Sequence, residues 1–295
     1  MKMKIRTSLL ALSCLSALSL NSQAATVVWG GSSGEYTTGA NWVGGAVPNT
    51  NGGDTAQINA GAVTYTPGGD LAIHSGGALQ INGGSWTQAG GIAWIQLAGG
   101  SLNVAGGTFN QGTAGNIILT ATSSINVSSG TANFNGNFLY DPTNLGVLSI
   151  TGGTVNVANE FKPISTFTMV GGNLTANLIS FADGPGSINF SGGSISLNGA
   201  GANSGFYGGG TKSLNFTSGS SGSLFFSSYT LADLTADGFL TNGTIQYNGA
   251  IAAAQFNAVT SGGGVIVSLV PEPSTYALLL LGSGALLFFR RRVQS

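Results

Sequence analysis

Glycine pairs recur along the middle of the chain, each between two short runs in which apolar and polar residues alternate. Residues 79–86 and 148–157 are typical copies. An alternation with a period of two places every second side chain on the same side of a strand. Glycine accepts the positive φ that tight turns require. The repeat therefore predicts half-buried strands joined by glycine turns.

The spacing of the glycine pairs indicates how these strands are arranged. The pairs are centred near residues 84, 107, 130, 153, 172 and 193, so one copy takes 19 to 23 residues. A β repeat of about 20 residues without a helix is typical of a solenoid with one turn per repeat. We predict an all-β fold: a parallel β-solenoid, in the form of a right-handed β-helix, with terminal caps. A hairpin at each glycine pair is the alternative, and it would give an antiparallel β-sandwich.

A solenoid needs a cap at each end, because its terminal turns would otherwise expose their apolar edges. We assign residues 25–66 to an N-terminal β cap, in which Trp29 and Trp42 are predicted to seal the first turn. Residues 67–220 form the β-repeat solenoid in this assignment. The N-terminal segment resembles the opening module of autotransporter-passenger-like β-helices.

The C-terminal cap is assigned to residues 221–268, where the glycine rhythm stops. Residues 231–237 are predicted to form a short helical turn. Alternating residues then predict strands at 244–247 and 265–269.

The N-terminus has the three parts of a secretory signal peptide, which we assign to residues 1–24. Three cations precede an apolar run over residues 9–20, and small residues lead to a predicted cut between Ala24 and Ala25. The single cysteine, Cys14, lies inside that run, so the mature chain is predicted to have no thiol or disulfide chemistry.

The C-terminus combines three features in a fixed order. Pro271, Glu272 and Pro273 come first, and the two prolines prevent a continuous helix there. Residues 274–289 are uncharged and mostly apolar, which predicts a short transmembrane helix. The chain then has a cluster of cations that would stay on the cytoplasmic side and stop the segment in the membrane: Arg290, Arg291 and Arg292.

This tail, over residues 269–295, resembles the PEP-CTERM sorting signal of exported proteins from Gram-negative bacteria that make extracellular polysaccharide. The resemblance implies recognition by exosortase, a membrane-embedded protease-transpeptidase. It also implies a cut at or near residues 271–273 and delivery of the body to the cell surface or the exopolysaccharide matrix. A plain tail anchor is the alternative, but it does not account for the Pro-Glu-Pro element.

Charge excludes one class of function. Residues 25–270 contain two cations, Lys162 and Lys212, against eight acidic residues, which gives a net charge of −6 and includes no arginine. Nucleic-acid binding needs a basic surface, so we expect no nucleic-acid partner.

The residues that might carry chemistry are few, and each has a structural explanation. Asp233 and Asp237 are close in sequence, but their spacing in a predicted turn favours solvation or capping over a glycosidase pair. His74 near Asp70 lacks a second histidine or a cysteine for a metal site. Trp86, together with Trp94, suits either a sugar platform or packing between turns, and we favour packing. We therefore predict no catalytic residues, no metal and no cofactor.

These observations predict an exported, non-catalytic surface or extracellular-matrix protein that acts as a structural spacer or adhesin. The expected partners are exosortase, the membrane before processing, and exopolysaccharide as a further candidate. One alternative is a carbohydrate-binding or carbohydrate-active β-helix protein. Another is a component of self-assembling β fibrils, because the strands have few charges.

Overall fold

The computed structural model of the protein describes residues 24–67, 70–89, 94–112, 115–120, 122–136, 138–140, 146–163, 166–181, 186–200, 205–208 and 212–270. Within them the chain forms 26 strands, numbered β1 to β26 along the sequence, and one α-helix. Most strands belong to three faces that the chain visits in turn, and each circuit between β3 and β21 contributes to all three faces.

The first face is a stack of parallel strands, each paired with the strand one circuit later. Its members are β1 (Thr26–Val28), β3 (Thr55–Ile58), β6 (Ala78–Ile81), the first half of β9 (Ser101–Asn110), the first half of β11 (Ser124–Phe134), β13 (Val147–Ile150), β16 (Thr166–Met169), β19 (Ser187–Phe190), β22 (Leu214–Phe216) and β24 (Ile245–Tyr247).

The second face is parallel in the same way, and the long strands β9 and β11 run through both faces and join them. The other members are β2 (Gly34–Glu35), β4 (Ala62–Tyr65), β7 (Ser85–Gln88), β14 (Thr154–Val157), β17 (Asn173–Ala176), β20 (Ser194–Leu197) and β23 (Ser223–Phe226).

The third face is a separate sheet of seven parallel strands. Its members are β5 (Leu71–His74), β8 (Ile95–Ala98), β10 (Ile117–Thr120), β12 (Phe138–Tyr140), β15 (Glu160–Phe161), β18 (Leu178–Ser180) and β21 (Gly205–Tyr207).

The core lies between the three faces and is filled by alternate side chains of every turn. In β3, β7, β14 and β20 the second and fourth residues are buried, while the first and third remain partly accessible to solvent. The strands β8 and β10 have the opposite phase and bury their first and third residues. Burying a Val, Leu, Ile or Phe side chain contributes about 1.5–3 kcal/mol, so every turn adds its own share of stability.

One column of aromatic rings runs through the first half of the core. Tyr36 lies 5.6 Å from Tyr65, Tyr65 lies 5.7 Å from Trp86, and Trp86 lies 5.0 Å from Phe109, measured between ring centroids. Phe134 continues the column at 5.5 Å from Phe109. The rings of Trp86 and Phe109 are parallel to within 1°. Packing of like residues one turn apart therefore links the N-terminal end to the middle of the solenoid.

The N-terminal end is closed by tryptophan, as the sequence predicts. Trp29 and Trp42 are both 3% exposed and meet edge to face at 5.0 Å. The indole of Trp42 donates a hydrogen bond of 2.7 Å to the carbonyl oxygen of Tyr36. Burial raises the pKa of the Tyr36 phenol above its ordinary value, because the charged form would lose its hydration. Parallel stacking already begins at β1, so the segment assigned to the cap also supplies the first turns.

The C-terminal end is closed by one helix and a hairpin. The helix α1 (Leu231–Asp237) begins with a capping box and ends at Gly238 in the left-handed conformation. The strands β25 (Phe256–Ser261) and β26 (Gly264–Leu269) are antiparallel, and β26 also pairs antiparallel with β23. The predicted helical turn and both predicted strands are therefore present.

All the remaining strand pairs are parallel. The prediction of an all-β parallel solenoid is thus confirmed for the described residues, and the antiparallel β-sandwich alternative is wrong. The predicted transmembrane helix lies outside the described residues. Within them, no helix has the length and apolar character that a membrane crossing needs. Right-handedness stays a prediction.

Candidate functional site

The place where the solenoid passes into its C-terminal tail is held by backbone hydrogen bonds up to the last described residue. Leu269 ends β26 and pairs with Phe256 of β25. One residue further on, the amide of Val270 donates a hydrogen bond of 2.8 Å to the carbonyl oxygen of Gln255. Pro271 is the next residue in the chain. The folded body therefore reaches the Pro-Glu-Pro element without an intervening linker.

A cavity of about 340 Å³ lies beside this exit. It has no charged side chain in its lining, which consists of Gly219, Ser220, Ser221, Gly222, Tyr247, Gln255, Ser268, Leu269 and Val270. Among the residues that the structure describes, the exit is thus lined by neutral groups.

The predicted sorting residues Pro271, Glu272 and Pro273, and the arginine cluster Arg290, Arg291 and Arg292, lie outside the described residues. The predicted signal-peptide cut falls inside them. Ala24 and Ala25 are both exposed at the N-terminal edge of the first face, immediately before β1. The amide of Ala25 donates a hydrogen bond of 2.9 Å to Oδ1 of Asp54.

The described residues thus form a parallel solenoid with closed ends, and its last strand, β26, leads directly into the proline-containing C-terminal tail. Residues 269–293 match the PEP-CTERM protein-sorting motif. The chain therefore carries the recognition tag of exosortase, and it is an exported protein destined for the surface or the extracellular space. No curated protein and no solved structure matches the chain.

The two close carboxylates of the C-terminal cap have separate structural roles. The side chain of Asp233 accepts hydrogen bonds of 2.8 Å from both the amide and the hydroxyl of Thr230, which completes the capping box of α1. These bonds, from the amide first and then the hydroxyl, hold the pKa of Asp233 below its ordinary value. Asp237 accepts a hydrogen bond of 2.8 Å from the hydroxyl of Tyr229. The capping interpretation of Asp233 is confirmed.

Asp70 lies immediately before β5, and His74 is the last residue of that strand. Oδ1 of Asp70 accepts a hydrogen bond of 2.9 Å from the amide of Trp94, and Oδ2 accepts one of 2.5 Å from Nε2 of Gln96. Asp70 therefore joins two successive turns. His74 is exposed on its strand. In the part of the chain that the structure describes, no three His, Cys, Asp or Glu residues cluster as metal ligands.

Trp86 packs between turns instead of forming a surface platform. Its side chain is fully buried between Tyr65 and Phe109 in the aromatic column. Trp94 is partly accessible, and its main-chain carbonyl accepts a hydrogen bond of 3.0 Å from the amide of Leu71. The packing interpretation of Trp86 is confirmed.

The structure shows one further surface feature, a ladder of amide side chains along the outside of the second face. Nδ2 of Asn133 donates to Oδ1 of Asn110 at 2.6 Å, and Nδ2 of Asn156 donates to Oδ1 of Asn133 at 2.8 Å. Asn135 and Asn177 lie beside these three residues and donate to the main-chain carbonyls of Gln111 and Ala158. We call the five residues together the asparagine ladder: Asn110, Asn133, Asn135, Asn156 and Asn177.

The asparagine ladder lines an open groove of about 450 Å³ that runs across several turns, and no described residue in its lining is charged. Each hydrogen-bonded amide has a second donor and spare acceptor capacity. The groove can therefore offer neutral polar groups at intervals of one turn, about 4.8 Å. A signal was available in the sequence, because Asn110, Asn133 and Asn156 are each separated by 23 residues. The pattern of glycines and apolar residues, from which the turns were predicted, does not reveal this repeat of asparagines.

Proposed function

We propose that the protein is a non-catalytic structural spacer or adhesin of the cell surface or exopolysaccharide matrix. The observation that carries this proposal is the direct continuation of a closed, filled solenoid into its sorting motif. The core is occupied by apolar side chains at every turn, and the last strand ends at the first residue of the motif. A filled solenoid of this kind is suited to act as a spacer and to present an outer surface, and the sorting motif would direct where the protein is delivered.

The placement of the acidic residues supports a non-catalytic role. Asp54, Asp70 and Asp233 each accept hydrogen bonds from two groups of their own chain. Glu160 forms an ion pair with Lys162, with 3.6 Å between the charged atoms. Carboxylates engaged in this way serve the fold, whereas glycoside hydrolysis needs two carboxylates that face a substrate.

The sorting step is proposed to proceed from a membrane-bound precursor. The apolar segment 274–289 would hold the exported chain in the membrane, with Arg290, Arg291 and Arg292 on the cytoplasmic side. Exosortase would then cut at or near residues 271–273. Because Val270 is still bonded to Gln255, the product would keep the whole of β26 and its cap would stay closed.

Intact-mass measurement of the protein from its native host tests this proposal. The expected product begins at Ala25 and ends near residues 271–273. Replacing Pro271 and Pro273 with alanine is expected to leave the tail attached and the protein in the membrane fraction. A control with Pro48→Ala in the N-terminal cap should be processed normally. A wild-type product that retains Arg290, Arg291 and Arg292 would contradict the proposal.

A second candidate function is binding of a neutral polysaccharide, and the groove along the asparagine ladder favours it. Sugar hydroxyls pair with uncharged donors and acceptors, and a polymer could follow a groove that crosses several turns. The test is retention of the purified protein on the host's own exopolysaccharide, with depolymerisation followed in parallel. Alanine at Asn110, Asn133 and Asn156 should reduce retention if the groove binds.

The matched control for this test removes a second amide pair on the first face, where Nδ2 of Asn215 donates to Oδ1 of Asn189 at 3.2 Å. Alanine at Asn189 and Asn215 should leave retention unchanged. Equal loss of retention in both variants would show that the hydrogen bonds between amide side chains affect only the stability of the protein. Turnover of the polysaccharide would contradict the non-catalytic proposal.

A third candidate is assembly into fibrils through the edge of the C-terminal hairpin. Among the described strands, β25 pairs only with β26, and its sequence contains no charge that would oppose pairing with another copy. Sedimentation over a wide range of concentrations tests this directly. A monomer at every concentration would favour the spacer, and growth with concentration would favour the fibril.

A further inference from the structure

The N-terminal edge of the first face contains a carboxylate that accepts a hydrogen bond from the main chain immediately before the first strand. Oδ1 of Asp54 lies 2.9 Å from the amide nitrogen of Ala25, and Oδ2 lies 2.8 Å from the amide nitrogen of Asn49. Asp54 forms no ion pair with a side chain of the residues that the structure describes. A single carboxylate thus joins the start of β1 to the loop before β3.

The position of this carboxylate is fixed by its own backbone. The amide of Asp54 donates to the carbonyl of Asn49 at 3.1 Å, and its carbonyl accepts from the amide of Ala78 at 3.0 Å. Asn49 is fixed in turn, because its side chain accepts a hydrogen bond of 3.0 Å from the amide of Gly52. These hydrogen bonds hold the backbone of Asp54 in place and position its carboxylate next to the amide of Ala25.

Ala25 is also the residue that the sequence predicts as the first of the mature protein. Hydrolysis breaks the bond between the carbonyl carbon of Ala24 and the nitrogen of Ala25, adding the oxygen of water to that carbon and, at neutral pH, both protons of water to that nitrogen. At neutral pH the products are a carboxylate on Ala24 and an ammonium on Ala25, whose pKa in a free chain is about 8. The nitrogen that faces Asp54 would then become a cation.

We infer that Asp54 is the binding site for the new N-terminus, so that removal of the signal peptide completes the N-terminal cap. Before the cut, Asp54 accepts a bond from a neutral amide. After the cut, it faces an ammonium at the same nitrogen, and a hydrogen bond between two charged groups is about twice as strong as a neutral one. This inference depends on the predicted cut at Ala25 and is independent of the role proposed for the body.

The contact between Ala25 and Asp54 holds β1 against the rest of the solenoid. Because β1 is the first strand of its face, β3 is its one neighbouring strand among the described residues. β1 pairs with β3 over three residues, and the amide of Thr55 donates to the carbonyl of Ala25 at 2.8 Å. The Ala25 ammonium would therefore secure the bond next to it. Exchange of the Thr55 amide hydrogen is a direct local measure of that contact.

The experiment uses mature protein from the native host, after its mass has established which residue is first. The α-amine is acetylated at a pH of about 7, where it reacts ahead of lysines, whose pKa is about 10.4. The pair is exposed, so we expect acetylation to speed exchange of the Thr55 amide about two- to fivefold. Asp54→Asn protein, treated in the same way, should show no change on acetylation.

This comparison also cancels any effect of acetylating Lys162 and Lys212, because both proteins contain them. Exchange of an amide in the far hairpin, such as that of Val267, should be the same in all four samples. Three results would overturn the inference: a mature chain that begins elsewhere, no effect of acetylation, or an equal effect in the Asp54→Asn protein. None of them bears on processing at the C-terminal tag.

Discussion

At the scale of single residues, a column of glycines sets how closely one turn can lie on the next. Gly84, Gly130, Gly153, Gly172 and Gly193 all have positive φ, and they occupy equivalent positions in five turns of the solenoid. A Cβ on any of these glycines would lie 2.2–2.7 Å from the carbonyl oxygen of the glycine one turn earlier. Those carbonyls accept interturn hydrogen bonds, as Gly153 does from the amide of Asn173 at 2.9 Å. Glycine is needed here both for conformation and for space.

The first prediction separates these two requirements. Gly153→Ala should destabilise the protein more than Gly219→Ala, by about 1–3 kcal/mol, because overpacking is added to conformational strain. Both glycines have positive φ, but a Cβ at Gly219 meets nothing within 4 Å. Gly219→Ala should therefore lower the free energy of unfolding only by the cost of the left-handed conformation, about 1–2 kcal/mol. Urea unfolding measures both, and equal losses would contradict the role of the column.

The second prediction concerns Trp86 in the aromatic column. Trp86→Ala should lower the free energy of unfolding by about 3–5 kcal/mol, because it leaves a cavity between Tyr65 and Phe109. Trp86→Phe should lose much less, because a phenyl ring continues the stack. Trp86→Phe also removes a buried indole N–H that has no acceptor among the described residues. Thermal unfolding of both variants is the measurement, and a mild effect of alanine would contradict the packing role.

The residue types that could be interpreted from sequence are those with a single structural explanation. Glycine in pairs and tryptophans near an end predicted turns and a seal, and both are present. The partners of Asp54 and Asp70 could not be predicted, because their bonds join residues 29 and 26 positions apart. Such contacts depend on where the chain closes each turn, which the local pattern does not specify.

At the scale of elements, the alternation of apolar and polar residues predicts where the strands lie, and the length of the repeat predicts how they pair. Residues 148–157 were predicted to contain two runs around a glycine pair, and they contain β13 and β14. The strands of the third face were harder to predict. They are as short as two residues in β15, and the bends before them vary in length. A short strand contributes too few alternating positions to be recognised without its neighbours.

The third prediction concerns the helix α1 and its dependence on pH. The bonds from Thr230 lower the pKa of Asp233 in the folded protein below the ordinary 3.8 of a free chain. The stability that this carboxylate gives is therefore fully present above that ordinary value and is lost as pH falls through the folded value. Protection of the Leu234 amide, which donates to the carbonyl of Thr230, should decrease as the pH is lowered below about 4.

Asp233→Asn is the control for this prediction. Its side chain does not titrate, so the acid-dependent part of the loss at Leu234 should disappear. Amides on the first face, such as that of Ile125, report the rest of the solenoid. A loss of equal size at Ile125 would indicate general acid unfolding and contradict a local effect at the cap.

At the scale of the whole molecule, the solenoid is a sum of similar turns, each of which contacts mainly its two neighbours. The turn that begins at β11 pairs in register with the turns on either side: Ser124 faces Ser101 before it and Val147 after it. Removing one complete turn should therefore bring two compatible surfaces together.

The fourth prediction follows from that register. Deletion of residues 124–146 should give a protein that still unfolds cooperatively and is shorter by about 4.8 Å, the spacing of neighbouring strands. Deletion of residues 124–134 alone should abolish cooperative unfolding, because it removes β11 and breaks the glycine column. Small-angle scattering and urea unfolding distinguish the two. Similar behaviour of both deletions would contradict a body built from independent turns.

The antiparallel pairing of β26 has a mechanical consequence. If the far end of the body is held and the C-terminal tail is pulled, tension enters through Val270, next to the pair between Ser268 and Ser223. A pull along the solenoid axis acts across the strands, so the bonds between β26 and β23 are loaded one after another from that end. The hairpin would peel away before any parallel turn opened. The C-terminal cap would then unfold under load before the rest of the solenoid and refold when the load is removed.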